Sequence, residues 1–246
     1  CVDQSAARAI IAAARADGRT LLSEVEAKAL LAAYCIPVVP TRLAPTPEDV
    51  ASLCADIPGP YVVKLVSPEI THKSDVGGVA LNLPDAAAAV AAARAIQSRI
   101  TARIDGYSVQ PMIRRPHAHE MIVGIADDPT FGPVLMVGAG GKAVEILKDR
   151  AFGLPPLDDG LARAMIAETR IARLLAGYRD EPAADVAGIA AVLVGLSQMA
   201  IDLPDIAELD INPLLVDAEG VLALDARIRI TAEADPRPRT VISPRR

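Results

Sequence analysis

The sequence predicts an α/β (α+β) protein built of two lobes. Short β-branched runs, such as 61–66 and 134–137, alternate with Ala-rich stretches such as 85–104. At 246 residues the chain can form one large or two small domains with a buried core. A hydrophobic content of 52% beside 23% charge excludes a disordered chain.

Each element has its own signal. Residues 1–18 are helical in pattern and stop at Asp17-Gly18, a C-terminal glycine signature. Ser23, with Glu26 three positions on, reads as a capping box ahead of an apolar run to Leu31. That helix ends near Tyr34-Cys35, and Ile36-Pro37-Val38-Val39-Pro40 is extended. Thr46-Pro47-Glu48-Asp49 opens another helix, with Pro directly after a Thr cap. Strands follow at 61–66 and 79–83, joined by the polar loop 67–78. Asp85 opens an Ala-rich helix to about Ile104, followed by a strand around 107–110. Residues 120–126 alternate as a strand, Asp127-Asp128-Pro129 turns, and 134–137 runs into Gly138-Ala139-Gly140-Gly141. Helices are expected at 158–176 and 182–202, then a hairpin of 206–216 and 221–230 about a turn at 217–220. The organisation expected is a helical extension at 1–20, lobes at 21–108 and 109–231, and a Pro/Arg-rich tail at 232–246. No internal repeat is visible.

Composition narrows the function. Lys and Arg number 25 against 31 Asp and Glu, a net −6, which argues against a basic nucleic-acid surface. Four Tyr and two Phe, with no Trp, leave little for base-stacking platforms. Cys1, Cys35 and Cys54 lack CxxC spacing, so Cys35 and Cys54 are expected to be reduced, buried thiols of a cytoplasmic protein. Arg8, Arg15 and Asp17 interrupt any signal peptide. The longest uncharged apolar run, 186–201, is short for a membrane span and reads as a buried helix. A start at Cys1 rather than Met is expected of a processed chain or of a segment of a longer protein.

Three segments could carry chemistry. Lys64 lies in an apolar strand and must either snorkel to water or meet an anion. The loop after it holds His72, Lys73, Ser74 and Asp75 beside Gly77-Gly78, a set that can approach phosphate; a solvated hairpin would carry the same residues. Gly138, Gly140 and Gly141, followed by Lys142, could present backbone N–H groups to an anion, or form a plain strand-to-loop turn. Glu145, Lys148, Asp149 and Arg150 beyond them suit ordinary surface charges. Glu208, Asp210 and Asn212 alternate onto one strand face, with Asp225 expected on the neighbouring strand. Converging carboxylate and carboxamide oxygens suit Mg²⁺, although a solvent-facing sheet would alternate in the same way.

Four blocks in this order resemble one family: VVKLVSPEITHKSDVGGV, QPMI, HEMIVGIADDPTFGPVLMVGAGG, and ELDINPLLV followed by LALDARI. They resemble the ATP-grasp portion of nucleoside-diphosphate-forming acyl-CoA synthetases, the ADP-forming acetate–CoA ligases, related to the succinyl-CoA synthetase β subunit. The resemblance covers about residues 20–230 and implies an ATP-grasp fold, two lobes clasping a nucleotide. It implies ATP or ADP with Mg²⁺ as cofactors. Lys64 would contact the phosphates, Gln110 and Met112 would lie in the hinge that meets adenine, and Glu120 would open the following strand of the cleft. Gly138, Gly140 and Gly141 would form the glycine turn near the phosphates. Asn212 and Asp225 would bind Mg²⁺, with Asp210 as a helper. His72 would receive a phosphoryl group from a distant phosphohistidine and pass it to ADP; His117 and His119 carry no role.

The region that would bind CoA and carry the primary phosphohistidine is not in this sequence. A CoA-binding, α-type subunit or domain is therefore the expected partner, an oligomer is expected, and no nucleic acid or membrane is. Two alternatives stand beside this reading. One is a regulatory ATP-grasp domain fused to a GNAT acetyltransferase. The other is a free-standing carboxylate–amine ligase, which leaves the His72 loop without a purpose.

Overall fold

The computed structural model describes residues 2–70, 73–141, 149–177 and 182–233, and these fall into two compact units. The smaller contains Ser23–Val25 and Val39–Arg114. The larger contains the residues up to Leu22, Glu26–Val38 and those from Arg115 onward.

The smaller unit is a four-stranded antiparallel sheet of β1 (Arg42–Ala44), β2 (Tyr61–Val66), β3 (Val79–Leu83) and β4 (Gly106–Pro111), in the order β1-β4-β2-β3. β2 lies between two neighbours, and its β-branched residues suit a pleated, buried position. Val63 and Leu65 meet Val50, Cys54, Ala89, Ala93 and Ile96 from the helices Val50–Cys54 and Ala86–Arg99. Asp85 caps the longer helix by accepting the Ala88 N–H at 2.8 Å.

Two expectations fail here for local reasons. The Ala-rich helix ends at Arg99, well before Ile104, because Ile100 turns extended and Ile100 and Ile104 pack against the core as coil. The segment from Thr46 starts no helix: the Asp49 carboxylate accepts the Thr46 N–H and hydroxyl at 3.1 and 2.7 Å, forming a turn, and the helix begins at Val50.

Among the described residues the larger unit holds six strands: β5 (His119–Asp128), β6 (Gly132–Ala139), β7 (Arg150–Gly153), β8 (Ile206–Asp217), β9 (Gly220–Ala223) and β10 (Ala226–Ile230). Their order is β10-β8-β5-β6-β7, with β9 paired to the end of β8. Met121, Val123 and Ile125 alternate into the core with Leu209 and Ile211, the period-two pattern of a half-buried sheet. Helix Val186–Asp202 contains the uncharged run, buried through Ile189, Leu193, Leu196 and Met199. Among the described residues no helix is long and apolar enough to cross a membrane.

The expected helix 158–176 is two helices, Asp159–Glu168 and Ala172–Leu175. The Asp149 carboxylate takes the N–H groups of Arg170 and Ile171 at 2.6 and 2.8 Å, donors that a continuous helix would spend on its own carbonyls. The strand expected at 221–230 is likewise interrupted at Leu224-Asp225, between β9 and β10.

The domain plan also differs. The N-terminal helix Gln4–Ala16 is no separate extension: Ala7, Ile11 and Ala14 are buried in the larger unit's core, and Arg15 binds Asp205 at 2.7 Å. A cut between 108 and 109 would fall inside β4; the contacts divide at Arg114/Arg115 instead. Cys54 is a buried free thiol as expected, whereas Cys35 is exposed at a φ of 61° and disulfide-bonded. The tail from 234 onward lies outside the described residues.

Candidate functional site

In the smaller unit the antiparallel register places Lys64 directly across from Ser108 on β4 and from Val79 on β3. Lys64 does not snorkel to water. Its ammonium donates to Glu24 Oε1 at 2.8 Å, and Lys73 donates to the other oxygen, Oε2, at 3.0 Å. The Ser108 hydroxyl also reaches Oε2, at 3.3 Å. A carboxylate taken out of water needs such partners, since an unpaired buried charge is costly. Glu24 escaped the sequence reading because an acid in a first helical turn is adequately explained by the helix dipole; its partners lie far along the chain.

The loop after Lys64 folds back onto β2. Gly78 N–H donates to the Lys73 carbonyl at 2.7 Å, and Leu65 N–H donates to the Gly78 carbonyl at 2.7 Å. A Cβ at Gly78 would stand 2.9 Å from the Lys73 oxygen and 3.1 Å from the Leu65 side chain, so the loop closes only around glycine. His72, expected to be the phosphoryl carrier, lies outside the described residues. Gln110 is buried, and its side-chain oxygen accepts from the Thr41 hydroxyl at 3.4 Å. Met112 N–H is committed to the Pro60 carbonyl at 2.7 Å.

In the larger unit β5 and β6 bring Glu120 against the glycine turn. Gly140 N–H donates to the Glu120 carbonyl at 2.7 Å, and a Cβ at Gly141, whose φ is +69°, would stand 2.5 Å from Glu120 Oε2. Gly138 sits apart from Glu120, against the backbone of Asp149 and Arg150. Lys142, Glu145 and Lys148 lie outside the described residues.

β8 carries Asp210 and Asn212 on the face opposite buried Leu209 and Ile211. Asp225 stands in the break between β9 and β10 rather than on a strand; its carbonyl accepts the Asn212 N–H at 3.2 Å, and its carboxylate accepts the Ala226 N–H at 2.9 Å. Burial pushes the Asp210 carboxyl above its usual range, the Arg227 guanidinium opposes this, and the Glu208 and Asp225 carboxylates add to it. Glu208 is itself paired with Arg229 at 3.0 Å. Among the described residues no three His, Cys, Asp or Glu side chains form a metal-sized group; the set is two carboxylates and a carboxamide. Oxygen donors of this kind are those a hard divalent cation such as Mg²⁺ takes, and a cation beside Asp210 would relieve the carboxylate that burial disfavours.

An ATP-grasp domain model matches residues 13–230. The β subunit of ADP-forming acetate–CoA ligase I from Pyrococcus furiosus is 39% identical over 227 residues, covering 90% of this chain and 97% of that protein. The ADP-forming acetate–CoA ligase I of Archaeoglobus fulgidus is 38% identical over 208 residues, covering 83% of this chain and 30% of that longer protein. Among solved structures, the acetyl-coenzyme A synthetase 1 of Ca. Korarchaeum cryptofilum superimposes with a TM-score of 0.82 at 36% identity, covering 92% of this chain and all of that chain. That crystal held coenzyme A and Mg-AMPPCP, with a phosphohistidine segment pointing towards its nucleotide binding site.

Proposed function

The chain belongs to the ATP-grasp family, and we propose that it is the nucleotide-binding part of an ADP-forming acyl-CoA ligase. Its task is phosphoryl transfer between ATP or ADP and a phosphohistidine, within the reversible conversion of acyl-CoA, ADP and phosphate to carboxylate, CoA and ATP. The match along 97% of the Pyrococcus furiosus β subunit supports this reading most strongly. The relatives reported above are ligases, so they give the acetyltransferase alternative no support.

On this reading Lys64 donates to phosphate oxygens, which matches an ammonium already fixed on a buried strand. Asp210, Asn212 and Asp225 hold Mg²⁺, and the cation, when bound, neutralises charge on the phosphate oxygens. Gly140 and Gly141 let backbone approach the phosphates without a side chain between, with Glu120 packed beside them. The adenine would lie along 110–113; since Met112 N–H is taken by Pro60, other backbone groups of that stretch would meet it.

His72 would be the phosphoryl acceptor. In the ATP-forming direction its P–N bond breaks while a β-phosphate oxygen of ADP forms the new P–O bond, and the imidazole keeps the electron pair. Neutral imidazole suits both transfers, because its unperturbed pKa lies close to physiological pH. The acyl group and CoA enter on a CoA-binding subunit or domain bearing the primary phosphohistidine. A cytoplasmic location belongs to the same proposal.

Nucleotide linkage tests the first part. ADP with Mg²⁺ should raise the melting temperature in proportion to the logarithm of its concentration over Kd. Absence of any shift at millimolar ADP would remove the nucleotide reading. With a CoA-binding partner added, His72→Ala should keep ADP binding and lose phosphoryl exchange; surviving exchange would remove the relay.

A further inference from the structure

The geometry points to Glu24 as a positioning residue that holds Lys64 and Lys73 as a matched pair, so that both ammonium groups meet the nucleotide's phosphate oxygens. This rests on the nucleotide reading above and adds two residues to it. One oxygen of Glu24 faces Lys64 at 2.8 Å and the other faces Lys73 at 3.0 Å. The Glu24 side chain is 2% exposed, whereas Lys64 and Lys73 are 10% and 21% exposed. The carboxylate is thus the buried floor, and the two ammonium groups are what an approaching anion would touch.

Lys73 is placed twice over. Its carbonyl accepts from Gly78, whose own carbonyl accepts from Leu65, the residue after Lys64. That backbone clamp sets the Lys73 Cα without help from its side chain, and the ion pair then sets the ammonium. A loop lysine in solution samples many rotamers, and fixing it costs side-chain entropy. Here that cost falls on folding rather than on nucleotide binding, which is the logic of a preorganised site. Ser108, across the ladder from Lys64, donates a third contact and keeps the carboxylate from swinging away.

The test is calorimetric titration of the whole chain with ADP and Mg²⁺, using Lys73→Met, Lys73→Arg, Glu24→Gln and the double variant Glu24→Gln/Lys73→Met. Loss of one charge-assisted phosphate contact should weaken ADP about tenfold in Lys73→Met, with recovery in Lys73→Arg. Glu24→Gln should cost at least a similar factor, and less once Lys73 is already Met, because part of its effect acts through the Lys73 contact. Lys73→Met within twofold of wild type, or strictly multiplicative effects in the double variant, would overturn the proposal. If Glu24→Gln fails to fold, the Met–Arg comparison at Lys73 decides alone: rescue by Arg supports the pairing, and equal affinities end it. A wild-type chain that binds no ADP sinks the nucleotide reading itself, whereas wild-type binding with an indifferent Lys73 sinks this inference only.

Discussion

The Glu24 carboxylate and the Lys64 ammonium stand 2.8 Å apart although forty positions separate them in the chain. Both are nearly cut off from water, so neither can lose this contact cheaply. Glu24→Ala removes the carboxylate that both ammonium groups bind and should destabilise the fold by about 3–5 kcal/mol. Lys64→Met should cost less, because Lys73 and Ser108 remain on the carboxylate. Urea unfolding ranks the two variants; the opposite order would contradict this account.

The proposed cation site makes a metal-specific prediction. Asp225→Asn exchanges a charged oxygen donor for a neutral one and should weaken ADP binding about tenfold at fixed Mg²⁺. With chelator present, wild type and variant should bind ADP alike. Equal titration curves in Mg²⁺ would remove Asp225 from the ligand set.

Asp149 gives a purely structural one. Its buried carboxylate accepts two backbone N–H groups where helix Asp159–Glu168 ends and Ala172–Leu175 begins. Asp149→Ala leaves both donors without that acceptor and should cost about 1–3 kcal/mol, with Asp149→Asn, which keeps one acceptor oxygen, in between. Chemical denaturation measures both; a neutral alanine variant would mean the break is fixed by something else.

Alkaline pH tests Tyr34. Burial, and then the Asp202 carboxylate that accepts its hydroxyl at 3.1 Å, push the phenol above its ordinary value of 10.0. The unfolded chain therefore ionises Tyr34 first, and stability falls as pH rises past 10. Tyr34→Phe should lose about 1 kcal/mol near neutrality through the missing hydrogen bond, yet decline less steeply above pH 10. Melting temperatures between pH 8 and 11 would show the curves converging; parallel curves would deny Tyr34 a part.

Several elements were legible because their cause is local. The run Tyr61-Val62-Val63-Lys64-Leu65-Val66 forms β2 as its branched side chains predict, and Asp85 caps its helix as its position predicts. Lys64 could be singled out since a lysine among apolar strand residues has few outcomes. The helix expected to run through 169–171 was misread because its interruption comes from Asp149, about twenty residues earlier. Cys35 was misjudged on its apolar neighbours, while its left-handed backbone turns it outward. Asp225 was placed on a strand by alternation that the β9–β10 break interrupts.

By itself the sequence determined most of the strands, the Asp85 cap and the family, since these depend on neighbours within a few positions or on matched blocks. Tertiary structure alone decided that one glutamate would face two lysines, that Glu120 would abut Gly140 and that Asp210 would be desolvated among like charges. Those outcomes depend on the path of the backbone between distant residues: charge pairing and loss of water act through space, and no local pattern encodes the distance.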